Sequence, residues 1–258
     1  MPCFRFIAVA IMIEVMSLSP AMLSGQGKDR QPEAVPEGST ASADSLTGKA
    51  ASGARNESLF SWTLGIDAVS SYIWRGTRQG RGPHLQPYAE CSAGPLTGGV
   101  WGTFDFNGYR EADIYLAMDL PGGFNIGLQD YWMADLPFSD FTVESGSHAF
   151  EASLGYESEH ANLNVNYVIN EAGGAGSSGG DLYIESRLSF DYFTAFMGAG
   201  NGWHTDEGKF VVCSLGLETG WNIEVSDSFV IPVIAQMCYN PDSGRMFFMA
   251  GFSVSTGR

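Results

Sequence analysis

A chain of 258 residues with a formal net charge of −16 has room for one barrel or sandwich. Its acidity excludes nucleic acid and anionic membrane surfaces as natural partners, since both demand basic patches. The 33 glycines and 13% aromatic residues stand beside lysine only at positions 28, 49 and 209, a poor supply for a wetted surface.

Residues 1–25 carry Arg5, an apolar run FIAVAIMI interrupted afterwards by Glu14, and small residues from Ser19 to Gly25. This is the pattern of a cleaved secretory signal peptide, and the run is shorter than the roughly 20 apolar residues of a spanning helix. Residues 26–58 are rich in Ala, Ser, Gly, Glu and Pro with little to bury, which predicts a disordered periplasmic linker. Residues 59–258 form the remaining unit, and any membrane insertion by it must use strands.

That unit opens with SWTLGIDAVSSYIWRG at 61–76. One alternate set reads Trp62, Leu64, Ile66, Ala68, Ser70, Tyr72, Trp74, and the other contains Thr63, Gly65, Asp67, Ser71 and Arg75. A period of two places the sets on opposite faces of an extended chain. From Trp62 to Tyr72 a strand tilted about 45° climbs roughly 23 Å, close to the ~25 Å apolar band of an outer-membrane barrel. Trp62, Tyr72 and Trp74 are therefore expected in the aromatic girdles.

The same alternation recurs along the chain. It sets Ile114, Leu116 and Met118 against Asp113, Tyr115 and Asp119, and Phe150, Leu154 and Tyr156 against Glu151, Ser153 and Gly155. It sets Leu163, Val165 and Tyr167 against Asn162, Asn164 and Asn166, and Ile184 and Leu188 against Glu185 and Arg187. The pattern predicts an all-β fold, an antiparallel transmembrane β-barrel of about 12 strands. Its strands fall at 61–75, 84–93, 96–106, 110–120, 123–132, 147–157, 161–170, 181–190, 192–200, 210–225, 228–239 and 245–254. Odd-numbered connections are mostly long, such as MADLPFSDFTVESG and EAGGAGSSGG, and even-numbered ones such as PGG are tight, as in bacterial barrels. The fifth connection is long enough to fold into the lumen. Pro87 and Pro232 are expected at bulges or strand ends. Cys91 and Cys213 fall in the apolar phase and Cys238 in the polar phase, which predicts no disulfide framework.

YIWRG at 72–76, PHLQPYAE at 83–90 and GGVWGTFDF at 98–106 resemble the start of the TorF-like porin family, and the likeness continues through EADIYLAM and SDSFVIP. The resemblance implies an outer-membrane barrel in a Gram-negative bacterium, with outer-membrane lipid and the barrel-assembly machinery as partners. It names no substrate. Barrels of that kind usually end on an aromatic residue, whereas Phe252 is followed here by residues through Arg258.

If the apolar set meets lipid, the lumen is lined by Asp67, Glu90, Glu111, Asp113, Glu151, Glu185 and Glu218 against Arg75 and Arg187. An excess of carboxylates concentrates cations, which predicts passive passage of small polar solutes with a cation preference. The competing reading is a closed polar plug in a structural or adhesion barrel. A soluble carbohydrate-binding sandwich would require the apolar sets to face each other. Arg75, Arg78 and Arg81 offer anion contacts in the first connection, or a solvated loop. Asp135, Asp140, Glu144, Asp206 and Glu207 lack the spacing of a calcium loop. His84, His148, His160 and His204 have no metal-ligand spacing and no G-x-S-x-G element occurs, so no catalytic residue, metal or cofactor is expected.

Overall fold

A computed structural model describes residues 60–226 and 229–258. The expected signal peptide and linker, residues 1–25 and 26–58, lie outside the described residues.

Twelve antiparallel strands close into a barrel in strict chain order. They are β1 (Phe60–Val69), β2 (His84–Ala93), β3 (Leu96–Asp105), β4 (Arg110–Asp119), β5 (Phe124–Met133) and β6 (His148–Glu157), followed by β7 (Ala161–Val168), β8 (Leu182–Ser189), β9 (Thr194–Gly200), β10 (Val211–Ser226), β11 (Phe229–Asn240) and β12 (Arg245–Gly257). The seam joins β1 to β12, with Thr63 opposite Gly257 and Val69 opposite Gly251. It is finished by reciprocal amide bonds between Trp62 and Arg258 at 3.0 and 2.9 Å. Closure leaves no wall strand with an unpaired edge. β12 continues past its expected end at 254 because Val254–Gly257 find partners on β1.

The alternation resolves into inside and outside. On β4, Asp113 is wholly buried while its neighbour Ile114 is 42% exposed, as is Leu116 two residues further on at 49%. On β5, Asn125, Gln129 and Tyr131 point inward while Ile126 and Leu128 are exposed. On β7, Asn164 and Asn166 are buried beside exposed Leu163 and Tyr167. The apolar sets do not face each other, so the sandwich reading is overturned. Exposed aromatics ring both ends: Phe60, Phe124, Tyr156, Phe190 and Trp221 at the end with tight connections, and Phe106, Phe210 and Tyr239 at the other.

Several local features follow from side-chain size. Inward glycines are roofed by tyrosines of the facing strand: a Cβ on Gly65 would strike the Tyr88 ring, and one on Gly99 the Tyr115 ring. Pro87 is neither at a bulge nor at a strand end. It pairs with Ile66 on one side, while on the other the ladder lapses between Leu85 opposite Phe104 and Tyr88 opposite Trp101. Pro232 pairs with Asn222 just beyond the last β12 partner, Val233 opposite Phe252. Cys213 does not keep its expected outward phase. The register between β9 and β10 shifts at Gly198/Ala199, so Val212 faces Ala199 and Ser214 faces Gly198. The bulged Cys213 is buried.

The first strand does not run to residue 75. It leaves the wall after Val69, and Tyr72–Trp74 turns back on Thr77–Gln79 as a separate hairpin. Alternation survives across Ser70 and Ser71, which is why the sequence pattern continues where the wall does not.

Candidate functional site

The hairpin is built to reverse in two residues. Arg75 (φ 45°) and Gly76 (φ 81°) sit between Trp74 and Thr77, both in the left-handed region that a tight primed turn requires. Glycine adopts this conformation freely, but arginine does so only when its surroundings hold it there. At Gly76 a Cβ would collide with the carbonyl of the bulged Cys213, so the turn lies directly against β10. The Asn240 amide at the end of β11 donates to the Gly76 carbonyl at 3.1 Å.

Three consecutive side chains of the hairpin enter three sectors of the wall. Tyr72 packs in a buried cluster with Trp101 and Tyr115. Ile73 packs with Phe196 and Cys238, flanked by Phe247 and Met249. Trp74 lies against the cluster of Tyr131, Ala149 and Val168, 5.9 Å from the Tyr131 ring and 5.5 Å from Trp203. The hairpin therefore crosses the lumen near the end with the long connections. Tyr72 and Trp74 are consequently not girdle aromatics: both lie on the inner side, and of the three residues expected in the girdle only Trp62 remains in the barrel wall.

Arg75 anchors this insertion. Its guanidinium forms a bidentate pair with Glu151 on β6, at 2.7 and 2.8 Å. The Tyr131 hydroxyl also donates to Glu151, at 3.1 Å. The arginine carbon lies 4.8 Å from the Trp74 ring centroid and 4.6 Å from that of Tyr183. His204, in a short 3-10 turn of the ninth connection, places Nε2 3.4 Å from the same guanidinium. Burial first, and then the Arg75 charge, push the His204 pKa down to about 2, so the ring stays neutral.

The other expected lumen residues also point inward. Arg187 bridges Glu185 at 3.2 Å and Glu218 at 3.0 Å, joining β8 to β10. Tyr183 donates to Glu185 at 2.7 Å and Tyr115 to Glu90 at 2.8 Å. Tyr109 donates to Glu111 at 2.7 Å and Gln129 to Asp113 at 2.9 Å. Ser253, across the seam, donates to Asp67. Sequence reasoning missed the inward aromatics. Trp101, Tyr131, Phe196 and Phe247 occupy the polar phase, and that anomaly was the available signal for something apolar inside the barrel.

The fifth connection does not enter the lumen. His148, in the outward phase of β6, lies 2.9 Å from both oxygens of Asp130 on β5 and 2.7 Å from the Phe138 carbonyl. Phe141 stacks on its ring at 4.4 Å. The connection thus folds over the rim and bonds the seventh, where the Gly173 amide donates to Val143 and that of Ala175 to Gly146, both at 2.8 Å. At its turn the hydroxyl and amide of Thr142, then the Ser145 hydroxyl, hold the Asp140 carboxyl below its usual range. Arg78 and Arg81 are exposed at the outer side of the hairpin, and the Arg81 amide donates to Asp105 at 2.8 Å. Cys91, Cys213 and Cys238 are all free thiols.

No family model matches the chain. No curated protein matches it either. Among solved structures, a mutant porin of Rh. blastica superposes with a TM-score of 0.35 at 8% identity, covering 76% of this chain and 98% of the porin.

Proposed function

We propose that the chain spans the outer membrane of a Gram-negative bacterium as a narrow, porin-like channel for small polar solutes, with a preference for cations. One observation carries this reading: the wall is inverted relative to a water-soluble barrel, with Leu116, Leu128 and Leu154 exposed and Asp113, Glu111 and Glu151 buried within. An apolar outer band needs lipid as its solvent, and the lumen that remains is acidic. The stretches that resemble TorF-like porins support the same placement. Residues 1–25 then act as the secretory signal, and the barrel-assembly machinery and outer-membrane lipid are the partners.

A second reading, a closed barrel of the envelope, is favoured by the depth at which the Tyr72–Gln79 hairpin is seated. Conductance in planar bilayers separates the two. The channel reading expects stable, cation-selective steps, with selectivity reduced in the double variant Glu111→Gln, Asp113→Asn because it removes two of the inward carboxylates. Silence of the folded protein, or selectivity for anions, overturns it.

A further inference from the structure

The barrel closes without the hairpin that crosses it. Val69 on β1 pairs directly with His84 on β2, so residues 70–83 connect two strands whose ends already meet. The hairpin's backbone ladder is internal, joining Tyr72 to Gln79 and Trp74 to Thr77. Wall side chains tie it down: Glu151 on Arg75, the Asn240 amide on the Gly76 carbonyl, and His84 Nε2, 3.2 Å from the Gln79 carbonyl. Such ties break and re-form without unzipping the sheet, whereas a wall strand leaves only by giving up its ladders.

Exposure along the inner wall shows where the passage is blocked. Towards the tight connections the inward Glu90, Ser153 and Asn162 are half-buried, and the Arg187 and Glu218 side chains keep 25% and 18% of their surface. Level with the hairpin, Tyr131, Ala149 and Tyr183 are closed over, and the Arg75 and Glu151 side chains keep only 1% and 4%. Solvent therefore reaches the inner wall from one end and stops at the hairpin.

The seat is also imperfect. Among the described residues, the buried side-chain atoms without a hydrogen-bond partner are the Tyr72 hydroxyl and Trp74 Nε1 on the hairpin, with Trp101 Nε1, Asp113 Oδ1 and His204 Nδ1. The Trp101 ring packs on Tyr72 and that of His204 on Trp74, while Asp113 is the cross-strand partner of Trp101. Leaving buried polar atoms unpaired is costly, and withdrawal of the hairpin returns water to them. A bidentate charged pair thus holds down an element whose surroundings favour its departure.

We propose that the Tyr72–Gln79 hairpin is the gate of the channel, latched shut by the Arg75–Glu151 pair, and that its withdrawal opens the lumen to small polar solutes. This gate rests on the channel reading, and it accounts for a lumen that is crossed by its own chain yet conducts.

Single-channel recording of the refolded full barrel tests it with two variants. In one, Asn-Gly replaces residues 70–83, a primed two-residue turn that suits the Val69–His84 pair; in the other, Glu151→Gln removes the latch. The wild-type chain should conduct in steps separated by long closures. The turn variant should stay open, and Glu151→Gln should keep the wild-type step size while its ratio of closed to open time falls at least about 100-fold. Heat-modified mobility on gels shows which proteins are folded, and Glu151→Gln alone carries the comparison if the turn variant is not. Wild-type and turn-variant barrels that conduct with equal open times overturn the gate and keep the channel. Silence of all the folded proteins overturns the channel, and the gate with it. A Glu151→Gln barrel that closes as often and as long as wild type overturns the latch.

Discussion

The seating of the hairpin runs through one carboxylate, and replacing Glu151 with glutamine isolates it. Glutamine keeps the shape and one acceptor but removes the charge facing a guanidinium that is itself almost wholly enclosed. Breaking a buried ion pair from one side costs about 3–5 kcal/mol, because the remaining charge stays desolvated. At about 1.4 kcal/mol per factor of ten, the ratio of seated to released hairpin falls at least about 100-fold. Arg75 gains nothing by staying, since its left-handed backbone is tolerated only while the pair holds it. Hydrogen exchange reads this directly. The amides that pair Tyr72 with Gln79 and Trp74 with Thr77 should lose about two orders of magnitude of protection or more, while wall amides such as those pairing Leu116 with Leu128 keep theirs. Hairpin protection unchanged within about threefold would refute the assignment of Glu151 as its anchor.

Gly76→Ala should release the same hairpin by a different route, since a left-handed L-residue costs roughly 1–2 kcal/mol and the new Cβ meets the Cys213 carbonyl; exchange of residues 72–79 against an unmoved urea midpoint for the barrel checks it. Leu116→Arg tests the lipid face: near the bilayer midplane it should cost about 2–4 kcal/mol in urea titrations of vesicle-folded protein, and a loss below about 1 kcal/mol would argue that Leu116 does not meet acyl chains. The pH response follows from His204, whose ring is neutral when buried and takes a proton near pH 6.5 when released. Its depressed pKa means that packing of the ninth connection on the hairpin is fully stabilised above that value. The stabilisation is lost as pH falls from 6.5 toward 2, by up to about 1.4 kcal/mol per pH unit. Exchange protection around residues 201–205 should therefore decline between pH 6.5 and 4.5, and a His204→Asn barrel should show no such decline.

Most of the wall was legible in the residues themselves. Period-two alternation on β4 and β7 specifies which side chains share a face, turn chemistry at Gly94-Pro95 and Pro121-Gly122-Gly123 specifies where strands stop, and the unequal connections specify which end is which. None of that depends on long-range contacts, because a strand's two faces are set by its own pleat. Three things were decided by tertiary structure alone. A single bulge at Cys213 reversed the phase of one thiol, and an added residue leaves no periodic trace. The final residues joined the wall because β1 offered them a partner. Above all, alternation from Trp62 to Trp74 reads the same whether the chain stays in the wall or folds inward at Ser70. The difference lies in what receives Tyr72, Trp74 and Arg75: Trp101, Tyr131 and Glu151 come from distant strands, and only barrel closure brings them within reach.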